Sequence, residues 1–121
     1  MRLLLTGVGG SIGAHFLAHL GNNTDWDIVG IDSFRHKGWT DRVKEILNSH
    51  PEWSSRVHVF THDLAAPISP LLRDKIGHID YVISMASLSD VEASIQNPVP
   101  FIKNNVDLIL NILEYAREVK P

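Results

Sequence analysis

Three glycines at a three-residue spacing, Gly7, Gly10 and Gly13, stand in the run Thr6-Gly7-Val8-Gly9-Gly10-Ser11-Ile12-Gly13. An apolar stretch precedes them and a helical pattern follows. At such a junction the first amides of the helix, led by Ser11 and Ile12, have no intrahelical partner and favour a phosphate. Gly7 would permit the tight turn, Gly10 would let the backbone come close to the phosphates, and Gly13 would let helix pack on strand. Asp32 follows Gly13 by about 20 residues, the separation at which an acidic side chain accepts hydrogen bonds from adenosine ribose hydroxyls. A plain glycine turn and a solvated strand-end aspartate are the bland alternatives, and the joint spacing argues against both. Together the features suit a dinucleotide. The Asp32 carboxylate would repel a 2′-phosphate and so favours NAD over NADP, although Arg35 and Lys37 in the same loop partly offset that repulsion.

The elements that must position these groups can be read from the apolar pattern. Residues 2–6 form a compact apolar run, as expected of a parallel strand buried on both faces. Residues 11–20 carry Ile12, Phe16, Leu17 and Leu20 at helical spacing, with Gly21-Asn22-Asn23 as the stop. Strands are predicted at 27–32, 56–60 and 79–84. Helices are predicted at 41–49, closed by Pro51, at 68–76 after Pro67, and at 98–119, where Pro98 or Pro100 fits the first turn. Alternation of this kind builds right-handed crossovers. The expected fold is α/β, a Rossmann-type doubly wound parallel sheet of order 3-2-1-4, and residues 1–121 make one domain.

With 121 residues, 44% hydrophobic and 21% charged, the chain has the composition of a globular domain with a real core. Its net charge of −3 lacks the basic field that binding nucleic acid or an anionic membrane surface requires, so neither partner is expected. No cysteine is present, which excludes disulfides and thiolate chemistry and fits a reducing, cytoplasmic setting. The apolar run at Leu3 to Leu5 is too short for a signal peptide or a membrane span.

The motif at Thr6 to Gly13 departs from the common Gly-x-Gly-x-x-Gly pattern at Ile12. It closely resembles the Thr-Gly-x-x-Gly-Phe-Ile-Gly signature of extended short-chain dehydrogenases, the NAD-dependent nucleotide-sugar epimerases and dehydratases, with Ser11 in place of the usual aromatic. His62-Asp63-Leu64 resembles that family's Asp-Leu pair, which implies that Asp63 and Leu64 read the adenine. Met85-Ala86-Ser87 corresponds to the segment lining the nicotinamide ribose and pyrophosphate side of the cleft. Residues 91–98 resemble the family's stretch of valine, serine and proline. Asn104-Asn105-Val106 resembles its asparagine-valine pair, so that Asn104 or Asn105 would contact the cofactor. Asp32 and the adjacent Ser33 complete the cofactor set. The landmarks occur in the family's order and cover nearly the whole chain.

The resemblance also implies what residues 1–121 lack. The family's catalytic serine or threonine and its Tyr-x-x-x-Lys belong to a strand and helix that would follow Pro121, so the chain reads as truncated before the fifth strand and as inactive by itself. In a complete member the tyrosinate acts as base on a sugar hydroxyl while hydride moves to the nicotinamide, and the lysine lowers the tyrosine pKa. Tyr115 is no substitute, because Val119 stands four residues on and Lys120 falls one position late. A nucleotide sugar is thus the expected partner of the full-length enzyme. The rival class is a catalytically inert dinucleotide sensor or interaction module, and the reading frame past Pro121 separates the two.

Other constellations point to little. His15 and His19 share a helix face at i, i+4 but lack an acidic residue between them and a third ligand, and His58 and His62 offer no fuller set, so no metal site is expected. Ser87 and Ser89 stand in no nucleophile elbow. On the last helix, Ile102, Val106, Ile109, Leu110 and Leu113 form one stripe and Phe101, Leu108, Ile112, Tyr115 and Val119 another. At about 100° per residue they span roughly 220°, too wide for one core-facing stripe. The outer side suits a homodimer through this helix, or cover by the elements that follow in a complete chain; uncovered, it would promote self-association.

Overall fold

The computed structural model describes residues 1–121 throughout. In chain order its elements are β1 (Arg2–Thr6), α1 (Ser11–Asn23), β2 (Asp27–Asp32), α2 (Trp39–Ser49), a 3-10 turn (Pro51–Ser55), β3 (Val57–Thr61), α3 (Pro70–Ile76), β4 (Tyr81–Ser84), α4 (Val91–Gln96) and α5 (Pro98–Val119). The four strands form one parallel sheet of order β3-β2-β1-β4. β1 is interior, with Leu4 opposite Val29 on one side and Val82 on the other.

Strand period explains how a sequence so uniformly apolar makes two cores. Successive side chains point to opposite faces. Leu3 and Leu5 therefore join Leu17, Leu20, Val43 and Trp53 under α1 and α2. Leu4 joins Ile76, Leu108, Ile112 and Tyr115 under α3 and α5. Leu3, Leu4 and Leu5 are all fully buried, each contributing about 1.5–3 kcal/mol relative to exposure.

The structure corrects several boundaries. α1 runs on to Asn23 instead of stopping at Gly21. Gly21 lies inside the helix, and the Trp53 ring packs where its Cβ would be, 2.5 Å away, so the glycine admits a close tertiary contact and does not mark the helix end. Arg56 is not part of β3: its guanidinium donates to the carbonyls of Gly21 (2.6 Å) and Trp26 (3.1 Å), a cation placed near the C-terminal end of α1. α3 begins at Pro70 and not at residue 68, because the Ser69 hydroxyl accepts from the Leu72 amide and caps it. β4 starts at Tyr81, since the Asp80 side chain takes the Arg2 amide at 2.7 Å. Two short elements had no counterpart in the sequence reading. The turn Pro51–Ser55 seats Trp53, and α4 is capped by Asp90 accepting from the Ala93 amide at 2.9 Å.

The two stripes of α5 separate as the width of the apolar surface requires. Leu108, Ile112 and Tyr115 are buried, whereas Ile102, Val106, Ile109, Leu110 and Leu113 are exposed. No helix is long and apolar enough to cross a membrane.

Candidate functional site

The crossover from β1 through α1 covers one face of the sheet, and that from β3 through α3 to β4 covers the other. The carboxyl ends of β1 and β4 therefore flank a switch point, where doubly wound sheets leave a crevice. Thr6 and Asp32, at the carboxyl ends of β1 and β2, are the buried polar residues of the chain. A group removed from water needs hydrogen-bond partners, and both aspartate and threonine find theirs in the loops at this crevice.

Thr6 ties β1 to the segment after β4. Its hydroxyl oxygen accepts from the amides of Met85 (3.1 Å) and Ala86 (3.2 Å) and its proton goes to the Ser84 hydroxyl at 3.2 Å. Gly7 then turns the chain at φ 72°, and a Cβ there would meet the Ala86 amide nitrogen at 2.7 Å. Only glycine satisfies both the left-handed backbone and that approach. Gly13 is just as close-packed, but its neighbours are the Gly7 carbonyl and Val8, so the helix approaches the loop itself. Gly10 differs: its nearest side chain is the Trp39 ring, 3.7 Å from a Cβ built there. As the N-cap of α1 it supplies no capping side chain, and the first turn holds no acidic residue. The opening amides at Ser11 and Ile12 are thereby left without a side-chain cap.

Asp32 is 4% exposed, and its carboxylate accepts from the Gly9 amide (2.8 Å) and the Phe34 amide (2.9 Å). The glycine loop and the end of β2 are thus locked in register by one side chain. Arg42, on α2, donates to the Gly9 carbonyl at 3.1 Å from behind.

A pocket opens beside Asp32. Its lining brings together seven of the residues singled out from the sequence: Asp32, Ser33, Asp63, Leu64, Ala86, Ser87 and Asn104. The others lie around it. Gly7, Gly10 and Gly13 form the adjoining loop. Ser11 and Ile12 lie at a separate open depression on the outer face of α1, with His15, Phe16 and His19. The Met85 side chain packs into the core under α1. The two asparagines divide. Asn104 faces the pocket, whereas Asn105 clamps the Leu88 backbone, accepting from its amide at 2.8 Å and donating to its carbonyl at 3.0 Å.

Sequence reasoning did not single out His36 and Trp39, which also line this pocket. Their rings lie 4.3 Å apart. Nor did it anticipate that Arg35 joins Asp63 and Asn104, 28 and 69 residues away. Nothing local signals such pairings. The Asp90 cap was recoverable, because an aspartate three residues before a free amide is a helix-start signal. Tyr115 is 2% exposed, its hydroxyl lacks a partner, and burial pushes its pKa up. A phenol so placed is poorly suited to act as a base.

An interior parallel strand feeding a glycine turn, with a buried carboxylate closing the next strand at the switch point, defines a Rossmann-type fold with its nucleotide crevice. The chain belongs to the NAD dependent epimerase/dehydratase family, whose model matches residues 3–121. It is 30% identical over 118 residues to dTDP-glucose 4,6-dehydratase 1 of Escherichia coli K12, spanning 97% of this chain and 31% of that relative. Among solved structures, a dTDP-glucose 4,6-dehydratase of Streptomyces venezuelae with NAD bound superposes with a TM-score of 0.82 at 26% identity, covering 99% of this chain and 37% of the other. A UDP-Glc/GlcNAc 4-epimerase of Campylobacter jejuni shares the fold with a TM-score of 0.82 at 23% identity, covering 98% and 34%. The chain thus spans about a third of the length of the relatives it matches.

Proposed function

We propose that residues 1–121 are the NAD-binding domain of a nucleotide-sugar epimerase or dehydratase. The observation that supports this most strongly is the buried Asp32 carboxylate held against the Gly9 amide at the mouth of the glycine loop. In this reading the α1 N-terminus holds the diphosphate, Asp32 and Ser33 hold the adenosine ribose, and Asp63 and Leu64 border the adenine. Ala86, Ser87 and Asn104 line the path toward the nicotinamide. NAD supplies hydride acceptance when bound; this chain's residues bind and orient it. The family's proton chemistry falls to a tyrosine and lysine that no Tyr-x-x-x-Lys in residues 1–121 provides, and by itself the chain is not expected to turn over. A nucleotide sugar is the partner we assign to the whole enzyme, in the cytoplasm, and a second copy or the elements following α5 would cover its outer stripe.

Equilibrium dialysis against NAD and NADP tests the cofactor assignment. Saturable NAD binding with weaker NADP binding is expected, and a folded sample that binds neither overturns it.

A further inference from the structure

The segment from Ser33 to Trp39 borders the pocket as a strap, with Ser33, Arg35, His36 and Trp39 in its lining. Its ends hold residues with left-handed backbone, Phe34 at φ 51° and Gly38 at φ 85°. A bulky residue rarely adopts that region and keeps it only where its surroundings hold it. Phe34 is held by its amide on Asp32 and by its ring, 3.0 Å from a Cβ built on Gly9. Between the two left-handed residues, the Arg35 guanidinium reaches over the pocket. One of its nitrogens donates to Asp63 (3.1 Å) and to Asn104 (3.0 Å), and its Nε donates to Ser33 at 3.2 Å. Beyond it Trp39 lies over Gly10. Arg35 therefore occupies the polar atoms of three residues that the proposed function assigns to the cofactor.

We infer that Arg35 is an affinity-determining latch: it holds the 33–39 strap closed over the adenosine end of the pocket, and an adenine nucleotide must displace it from Asp63 and Asn104 to bind. This inference rests on the dinucleotide reading above. The latch is a weak one. Arg35 and Asp63 are about half exposed, at 44% and 50%, and both outer contacts come from one nitrogen, so solvent competes for each of them. A protein whose competent state is only partly populated binds with an affinity reduced by that fraction. Releasing the latch should therefore tighten binding modestly.

The test compares the 121-residue chain with its Arg35→Ala variant by hydrogen exchange without ligand and by titration with AMP, NAD and nicotinamide mononucleotide. Faster exchange at the Phe34 and Trp39 amides is expected in the variant. AMP and NAD should bind roughly two- to fivefold more tightly, the range of an exposed ion pair, whereas nicotinamide mononucleotide, which would meet the latch only at Asn104, should gain less. Weaker AMP binding by the variant would make Arg35 a cofactor ligand and overturn the latch, as would unchanged exchange or unchanged AMP affinity. If neither protein binds AMP or NAD, the dinucleotide reading fails instead, and the exchange comparison alone decides whether Arg35 holds the strap.

Discussion

Gly13→Ala and Gly10→Ala, three residues apart in one motif, should fail in different ways. A Cβ on Gly13 would sit well inside van der Waals contact of the Gly7 carbonyl oxygen, 2.8 Å from its carbon and 3.1 Å from Val8 Cα. Every one of those neighbours is backbone, so no rotamer change relieves the overlap, and α1 must move off the loop that anchors it. Overpacking of this kind costs about 1–3 kcal/mol, and we place Gly13→Ala near 3 kcal/mol even after the gain of up to about 1 kcal/mol for alanine over glycine in a helix. A marginal domain has about 5–15 kcal/mol in total. With a urea dependence of about 1.5 kcal/mol per molar, the unfolding midpoint should fall by about 2 M. At Gly10 a Cβ has 3.3 Å to the Gly7 oxygen and 3.7 Å to the movable Trp39 ring, and φ is an ordinary −66°. Stability should drop by less than about 1 kcal/mol, yet the methyl would stand where the proposed function puts the diphosphate, so NAD binding should be lost from a folded protein. Urea unfolding followed by circular dichroism, paired with NAD titration, reads both. A Gly13→Ala midpoint within about 0.3 M of the parent would refute the packing argument.

Other outcomes follow from the same contacts. Gly21→Ala places a Cβ 2.5 Å from the Trp53 ring and should destabilise the chain by about 1–3 kcal/mol while leaving nucleotide binding intact; an unchanged melting temperature would contradict it. Burial pushes the Tyr115 pKa up, so the folded state holds that proton more tightly than the unfolded state. Its contribution is therefore fully present below about pH 10 and lost as pH rises beyond it. Tyr115→Phe should flatten that alkaline loss and cost nothing near neutrality, since the hydroxyl has no partner; a loss above about 1 kcal/mol would show a missed hydrogen bond. Leu110→Glu with Leu113→Glu, both exposed on α5, should reduce self-association in sedimentation velocity without changing the far-ultraviolet spectrum. An unchanged association constant would remove that stripe from any interface.

Much of the scaffold was legible because it depends on patterns with one physical meaning. Leu3 to Leu5, a compact apolar run ending at glycines, read as a parallel strand buried on both faces, and the strand and helix alternation that follows it suited the order 3-2-1-4. Gly7 and Asp32 stand out by type and spacing, and Asp63 by the family resemblance of His62-Asp63-Leu64. The elements that escaped prediction depend on contacts far along the chain. Gly21 reads as a helix stop until Trp53 is known to pack on it, and α4 buries no residue, so no apolar period marks it. The site shows the same division. The acidic and glycine positions were visible, whereas only the structure separates Asn104, which lines the pocket, from Asn105, which holds the Leu88 backbone. Arg35 and His36 belong to a loop, and Trp39 to the start of α2, and no local signal sets the path between them.

The most direct measurement is calorimetric titration of NAD into the chain and into Asp32→Asn, which keeps the side chain's shape, removes the charge proposed to accept from the ribose, and leaves one oxygen to accept from the Gly9 and Phe34 amides. One saturable site in the parent, weakened about 10- to 100-fold in the variant, corresponds to loss of a charged hydrogen bond of about 1.5–3 kcal/mol. Equal affinities in the two proteins, or no NAD binding by a parent that unfolds cooperatively, would contradict the assignment of the ribose to Asp32.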